Sequence, residues 1–594
     1  MPKTTPQLLI GCRNRERERP TNRWGGDQHT VPEPNAAGSE DPASRDDTPW
    51  ELFSRTVGDN PDAEAVINAR RDRRFTYKEL HEHVTRLAGA LTAAGVDRGD
   101  TFATLLRNGI EQTAALLMAS RLGATVATVN YRHSTSDVAH VFADCDPSLV
   151  VFDEDTHSTL DAVRTNLAVE HYLYAGKEIP EYADSYWERT TGSVDAAPPV
   201  PSLQPDDPIY LPYTAGTTGK PKGCLYTDDV VDLGRSVMDE FGFASERLLL
   251  VVPQAHAMGG WLGGTVPVLG GGTVVTMPAF DPVDALEMIE AETISCLIAM
   301  PALLRALVAA EPGRFDTGSL ATVLSTGSLL SPELAARVDA AFDLTAFHNA
   351  MGATEIGWFL ARNVRDNPDA ARSPGTAVLD AEIRVVRLSD GDSADSNGLN
   401  TADSNDPPDE CVVGEMGELI VDSPHGMDRY AGSTAATTER FRDVPASAIS
   451  EETPSEETES ARQWSYTGDL GYVDEVGQFW SEGRRANAIT SGTITVSDVS
   501  VEEVLREHPG VADVGVVGVP DDRRGEHVVA CVVPNNGSVT ENLIAWAREH
   551  PDLAAYEQPR EIVFFEELPR SAAMAVQKFK LREQLAKTKK TERL

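Results

Sequence analysis

One short run of this chain is made almost wholly of residues that bind phosphate. It reads Thr214-Ala215-Gly216-Thr217-Thr218-Gly219-Lys220-Pro221-Lys222-Gly223. The glycines Gly216, Gly219 and Gly223 let the backbone turn sharply and bring N–H groups close to an anion. Thr217 and Thr218 add hydroxyl donors, and Lys222 adds a charge that offsets phosphate. The run is not the G-x-x-x-x-G-K-[ST] loop: Pro221 follows Gly219-Lys220, so no helix opens there with a metal-binding hydroxyl.

Three further residues fit such a site. Glu355 follows the turn Gly352-Ala353-Thr354, and an acid there is suited to Mg²⁺ beside phosphates; the same carboxylate also fits a plain surface position. Asp469, in Tyr466-Thr467-Gly468-Asp469, can accept from both hydroxyls of a ribose; taken alone, a turn aspartate is the commoner reading. Arg484 offers a fork of donors to that ribose or to phosphate.

These residues need a scaffold. The apolar run 209–211 reads as a strand, so the glycine-rich loop leaves a sheet edge. Thr76 with Glu79 predicts a capping box opening a helix that runs to about Gly95, with Phe75 and Leu80 as its staple. A strand follows at 101–106, an apolar helix at 111–122 and a strand at 125–129. The same alternation recurs around 248–251, 295–299 and 321–325. Strands alternating with helices predict a layered α/β fold with parallel strands. Gly483-Arg484-Arg485-Ala486 marks a junction. Beyond it comes a smaller α+β unit, with helices at 501–507 and 541–548, strands at 511–519, 527–533 and 561–565, and a basic tail. The expected domains are therefore a tail (1–49, disordered), a large nucleotide-binding domain (50–482) and a C-terminal lid (483–594). Two acidic insertions, 389–409 and 449–459, read as solvated loops.

Composition narrows the class. At 594 residues the chain is too long for one core. A net charge of −41 argues against nucleic acid and anionic membranes as partners. No lysine stands between Lys222 and Lys578. A lysine-poor acidic surface suits a halophilic protein, since salt screens self-repulsion; an acidic protein of ordinary salinity is the alternative. The six cysteines are scattered without metal spacing, as expected in a reduced cytoplasm. The N-terminus carries no apolar signal core. The uncharged stretch 248–280 is broken by prolines and glycines. It reads as buried strands joined by tight turns, not as a membrane span.

The glycine-rich loop resembles that of the adenylate-forming (AMP-binding) enzymes: acyl-CoA synthetases, luciferases and the adenylation domains of peptide synthetases. Their pattern is T-S-G-T-T-G-x-P-K-G, and only Ala215 departs from it. Other marks follow in the family's order. Ser325-Thr326-Gly327-Ser328-Leu329-Leu330 resembles the strand and turn bordering the adenine. Met351-Gly352-Ala353-Thr354-Glu355 resembles Y-G-x-T-E, Tyr466-Thr467-Gly468-Asp469 resembles Y-x-T-G-D, and Gly483-Arg484 resembles the start of the hinge into a mobile C-terminal domain. The resemblance spans about residues 50–585.

It implies a two-step reaction. A carboxylic acid and ATP, with Mg²⁺, give an acyl-adenylate, and CoA then displaces AMP. It implies nucleotide contacts from Thr214, Gly216, Thr217, Thr218, Gly219, Lys222, Gly223, Gly327, Ser328, Met351, Gly352, Thr354, Asp469 and Arg484, with Lys222, Thr218, Glu355 and His256 in catalysis and Glu355 on the metal. Met351 stands where the family has an aromatic ring over adenine, and Met can cover the base without full stacking. His256 falls where the family often carries a histidine near the acyl pocket; a core or turn histidine is the other reading. That pocket is expected along residues 261–269 and near Met351. Fatty acids are among the acids such enzymes activate. No carrier-type serine segment is seen after the C-terminal unit, which favours CoA as acceptor.

The C-terminal unit departs from the pattern. The family's P-x-T-x-x-G-K becomes Pro569-Arg570-Ser571-Ala572-Ala573-Met574-Ala575, with Ala575 at the lysine position. Ala486 and Asn487 stand where Asp or Lys is usual. Two readings follow: an acyl-CoA synthetase, or a non-catalytic or half-reaction homologue that binds ATP or acyl-adenylate. Lys578, one helical turn on if that segment is helical, is the candidate replacement for the missing one.

Overall fold

A computed structural model describes residues 48–591 except 193, 195–196, 205, 215–219, 228–229, 244, 366, 368–369, 389–408, 445–461, 492–493, 522–524, 536–542, 551–552 and 572–574. The expectations for the tail (but for Thr48 and Pro49), for nearly all of both insertions, and for Gly216, Thr217, Thr218, Gly219 and Met574 lie outside the described residues.

The first described element is a helix, Pro49–Asp59, opened by a capping box between Thr48 and Glu51. Helix Tyr77–Ala93 opens on the capping box of Thr76 and Glu79, with Glu79 N–H 3.2 Å from Thr76 Oγ1. Its inward face is Leu80, Val84, Leu87 and Leu91, the i, i+4, i+7 spacing that puts an apolar stripe against a core.

Two large sheets carry the first domain. The nine-stranded sheet has six consecutive parallel strands, joined in five pairs: Glu64–Asn68, Thr273–Thr276, Arg247–Leu250, Cys296–Ala299, Thr322–Ser325 and Ala346–Ala353. The eight-stranded sheet centres on Leu149–Phe152, Thr101–Leu105, Thr125–Thr128 and Pro208–Pro212, also parallel, and ends in the antiparallel strands Cys224–Thr227 and Arg429–Tyr430. All thirteen residues of helix Ile110–Leu122 are buried. It touches strands of both sheets, which is why its sequence lacks a polar face.

The stretch 248–280 holds two buried strands as expected, but the middle differs. Met258–Leu262 forms a π turn and Val266–Leu269 a short helix. Gly259 and Gly260 permit this, because a Cβ on either would lie 2.1 or 2.3 Å from the carbonyl oxygen of Pro253 or Gln254. Among the described residues no helix is long and apolar enough to cross a membrane.

A third sheet joins Glu382–Val386, Gly417–Asp422, Arg462–Val473, Phe441–Val444 and Phe479–Arg484. The smaller C-terminal domain is built on a fourth sheet, with Val511–Asp521 and Gly525–Pro534 as its long antiparallel pair. Its own core includes Ile489, Val501, Leu505, Val516 and Ala530. At the junction Gly483 has φ +106°, and a Cβ there would meet Asp498 Oδ1 at 2.7 Å. Glycine is therefore required on both counts.

Candidate active site

The glycine-rich loop hangs from a closed base. Tyr213 bridges Gly223, Thr214 N–H donates to Lys222 O at 2.9 Å, and Lys222 N–H reaches Thr214 Oγ1 at 3.4 Å. Tyr213 is anchored by its hydroxyl on Asp144 Oδ2 at 2.7 Å. A Cβ on Gly223 would meet Leu211 and Tyr213 side chains at 2.9 Å, so the third glycine serves close approach of the two loop stems.

Next to this base runs the two-residue strand Arg429–Tyr430, paired with Leu225 and Cys224. It brings the Tyr430 ring under Lys222, whose Nζ lies 5.1 Å from the ring centroid, a cation–π distance. The Tyr430 hydroxyl in turn donates to Glu355 Oε1 at 2.7 Å. Glu355 sits in the hairpin between Ala346–Ala353 and Gly357–Asn363. Met427 N–H holds its carbonyl at 2.9 Å, and the Tyr226 hydroxyl holds that of Thr354. Gly352 admits no side chain, since a Cβ would lie 2.3 Å from the Trp358 ring. Burial pushes the Glu355 carboxyl up, but the charge of Arg440, the Tyr430 hydroxyl, a backbone N–H and Arg484 outweigh it, leaving it below its ordinary range. It is held ionised.

Asp469 lies on strand Arg462–Val473, directly opposite Arg484 on Phe479–Arg484, with Arg484 Nε 2.7 Å from Asp469 Oδ1. Its backbone is fixed by Thr467, whose hydroxyl accepts from Asp469 N–H at 3.0 Å and donates to Leu419 O at 2.7 Å. Buried Glu418 accepts from Gly468 N–H at 3.1 Å and pairs with Arg485 at 3.2 Å. Asp469 is only 7% exposed. Burial pushes its carboxyl above the ordinary range despite Arg484 and Arg440.

Gly327 and Ser328 are exposed just past strand Thr322–Ser325, beside the strand that carries Met351. Gly327 takes φ +85°. Met351 is half-buried against the apolar cluster that includes Ile356 and Phe359. The C-terminal ends of neighbouring parallel strands thus carry both expected adenine-side pieces, the position where open α/β sheets bind ligands.

His256 belongs to a second group. Its Nε2 is 2.7 Å from Asn130 Nδ2. Asn130 Oδ1 already accepts from Arg132 N–H at 2.9 Å, so the amide turns its NH₂ to the ring. Nε2 then accepts, and the neutral ring carries its proton on Nδ1. Gln254 pins this segment by accepting from Gly109 N–H at 2.7 Å.

Lys578 is not in the site. It is turned inward to Asp498 and Glu502 and is 9% exposed. Ala575 is exposed, with its carbonyl bound by Ser571 N–H at 2.7 Å. Ala486 and Asn487 have their carbonyls facing Arg582 at 3.2 and 3.5 Å.

Tyr430, Arg440, Tyr226 and Asn130 are the site residues that sequence reasoning passed over. Tyr430 and Asn130 belong to no motif, and Arg440 reads as a helix-surface charge. A cavity of about 120 Å³ opens between Tyr226, Val230, Pro424, His425 and Asp428. None of residues 261–269, expected to line the acid pocket, lines this cavity; Trp261 is buried and donates to Val230 O at 3.1 Å.

Among the described residues no cluster of acids, histidines and cysteines could hold a metal alone. Glu355 uses one oxygen on Tyr430, so a Mg²⁺ ion fits here only with phosphate oxygens completing its shell, as Mg²⁺ is commonly held.

The family described as AMP-binding enzyme matches residues 53–431, and its C-terminal domain matches residues 500–574. The chain is 31% identical to an indoleacetate–CoA ligase of Aromatoleum aromaticum over 542 residues, 90% of this chain and 98% of that protein. It is 31% identical to a feruloyl-CoA synthase of an Amycolatopsis species over 86% of this chain and 93% of the relative. In structure it is similar to ATP-bound MatB from Rhodopseudomonas palustris (TM-score 0.75, 23% identity, 90% of this chain and 98% of that one). It is also similar to the anthranilate CoA ligase AuaEII with anthranoyl-AMP (TM-score 0.78, 21% identity, 92% and 99%).

Proposed function

Because the chain belongs to the AMP-binding enzyme family, we propose that it activates a carboxylic acid with ATP and transfers the acyl group to CoA. A carboxylate oxygen of the acid attacks the α-phosphorus. The bond from that phosphorus to the α,β-bridging oxygen breaks, and pyrophosphate leaves. The CoA thiolate then attacks the acyl carbon, the bond to the AMP oxygen breaks, and AMP leaves.

The observation that carries this reading is the continuous path Lys222, Tyr430, Glu355, with Arg440 and Arg484 reaching across to Asp469. In it, Lys222 and the loop residues Thr214, Gly216, Thr217, Thr218, Gly219 and Gly223 bind phosphate. Asp469 and Arg484 hold the ribose, and Gly327, Ser328, Met351, Gly352 and Thr354 border the base. Glu355 holds Mg²⁺, which supplies charge neutralisation on the phosphates. Such sites act by positioning and fixed charge. His256, proton on Nδ1, faces the acid. Residues 50–482 form the nucleotide-binding domain and 483–594 the lid, with Gly483 at the boundary.

The two named ligases at 31% identity support an aryl or arylalkanoic acid, with fatty acids as the next class to assay. Both relatives carry enzyme names, which lends the non-catalytic alternative no support. The −41 charge supports adaptation to salt. The free Cys145, Cys224, Cys296, Cys411 and Cys531 support a reducing compartment such as the cytoplasm.

The test is ATP–pyrophosphate exchange with Mg²⁺ in high salt, across aryl, arylalkanoic and fatty acids. Exchange with one class establishes activation and names the acid. Absence with every acid, together with exchange by Ala575→Lys, sinks native adenylation and revives the half-reaction reading.

A further inference from the structure

Arg440 is the last residue of helix Thr434–Arg440. Two contacts fix where that helix ends. Tyr430 N–H donates to Thr437 Oγ1 at 3.0 Å, and Arg440 Nη1 donates to Tyr466 O at 2.6 Å. Tyr430 is the residue whose hydroxyl holds Glu355. Tyr466 lies three residues before Asp469 on the same strand. The guanidinium is therefore bonded to the strand that carries Asp469, at the end of a helix held by the residue that bonds Glu355, and its charge acts on both carboxylates. Yet its Nε is buried with no hydrogen-bond partner. A buried guanidinium N–H without an acceptor is costly. Arginine's fork matches the paired oxygens of a phosphate or a carboxylate, and in a nucleotide cleft the phosphate is the anion on offer.

We propose that Arg440 is a phosphate-binding residue of the nucleotide cleft, giving the large domain a cation that position 575 of the small domain does not supply. The inference rests on the nucleotide-site reading above. Arg440 binds an oxygen of the phosphate nearest the ribose, the one shared by ATP and AMP. It draws charge from that phosphorus as the carboxylate oxygen approaches and the bridging oxygen departs with pyrophosphate.

The experiment is titration calorimetry on the full chain with Mg-ATP, AMP and adenosine, using Arg440→Gln and Arg440→Lys, with Lys222→Ala and Asp469→Asn as controls. Arg440→Gln is expected to weaken ATP and AMP by about ten-fold or more, the scale of one lost charge-assisted contact, and to leave adenosine within about two-fold. Arg440→Lys falls between, keeping the charge and losing the fork. A purely structural role would weaken adenosine in parallel, and that result overturns the proposal. So does ATP affinity in Arg440→Gln within about two-fold of the parent while the controls are impaired. If the controls also bind ATP normally, the nucleotide-site reading fails and takes this inference with it. Should Arg440→Gln not fold, Arg440→Lys decides alone, by its ATP-to-adenosine ratio.

Discussion

Lys578 Nζ lies 2.6 Å from Glu502 Oε1, buried inside the small domain. With Asp498 as its second partner it ties the C-terminal helix Lys578–Thr591 to helix Asp498–Arg506. Burial works against its charge, but Glu502 and Asp498 outweigh that and raise its pKa. The lysine closest to Ala575 is thus a structural one. Removing a partner from a buried pair leaves an uncompensated charge, at a cost of about 3–5 kcal/mol. Lys578→Met should therefore lower the melting temperature strongly while leaving exchange per folded molecule intact. Exchange lost in correctly folded Lys578→Met would contradict the assignment.

Asp469 offers a pH test with a definite sign. Burial raises its folded pKa, so between the unfolded and folded values the native state holds the extra proton. Stability then falls as pH rises through that window. Asp469→Asn should melt higher than the parent near pH 7, with the gain shrinking as pH drops below the folded value, while ATP binding weakens. Equal melting at both ends of the range would refute the desolvation argument. Glu355 runs the other way. Its pKa is lowered, so its contribution is present above the unfolded value and fades only as pH falls through the folded one.

Tyr430→Phe removes the hydroxyl that holds Glu355. A hydrogen bond to a charged group is worth about 1.5–3 kcal/mol. The expected readout is a higher Mg²⁺ concentration for half-maximal exchange, by several-fold, with adenosine affinity unchanged. An unchanged Mg²⁺ dependence would remove Glu355 from the metal.

The −41 net charge predicts that KCl goes on raising the melting temperature above 0.1 M, as the screening length shortens from about 10 Å to about 3 Å at 1 M. A flat profile from 0.1 M upward would favour an acidic protein of ordinary salinity.

Much of the site was legible because its signals are local. The loop at 213–223, Glu355 after Gly352, and Asp469 after Gly468 are each short runs whose residue types state their chemistry. The capping box at Thr76 and Glu79 was legible for the same reason. What escaped depends on pairing across the chain. Tyr430 reaches Glu355 only because a two-residue strand docks on Cys224 and Leu225. Asn130 meets His256 across 126 positions. Arg440 belongs to no motif, and its mark is a three-dimensional one, a buried Nε without an acceptor. The sequence at Met258–Leu262 predicts turns between strands where a π turn forms, because glycines announce a tight backbone without saying which one.

Helix Ile110–Leu122 has a mechanical implication. Enclosed on every side and wedged between strands of both large sheets, it behaves like a key in a keyway. Sliding one sheet over the other would drag apolar surface into water all along its length, and each large side chain exposed costs about 1.5–3 kcal/mol. The large domain is therefore stiff against shear. Any displacement that the proposed reaction cycle demands would then fall outside this block, and the proposed domain boundary at Gly483, with its φ of +106°, is the position to test for it.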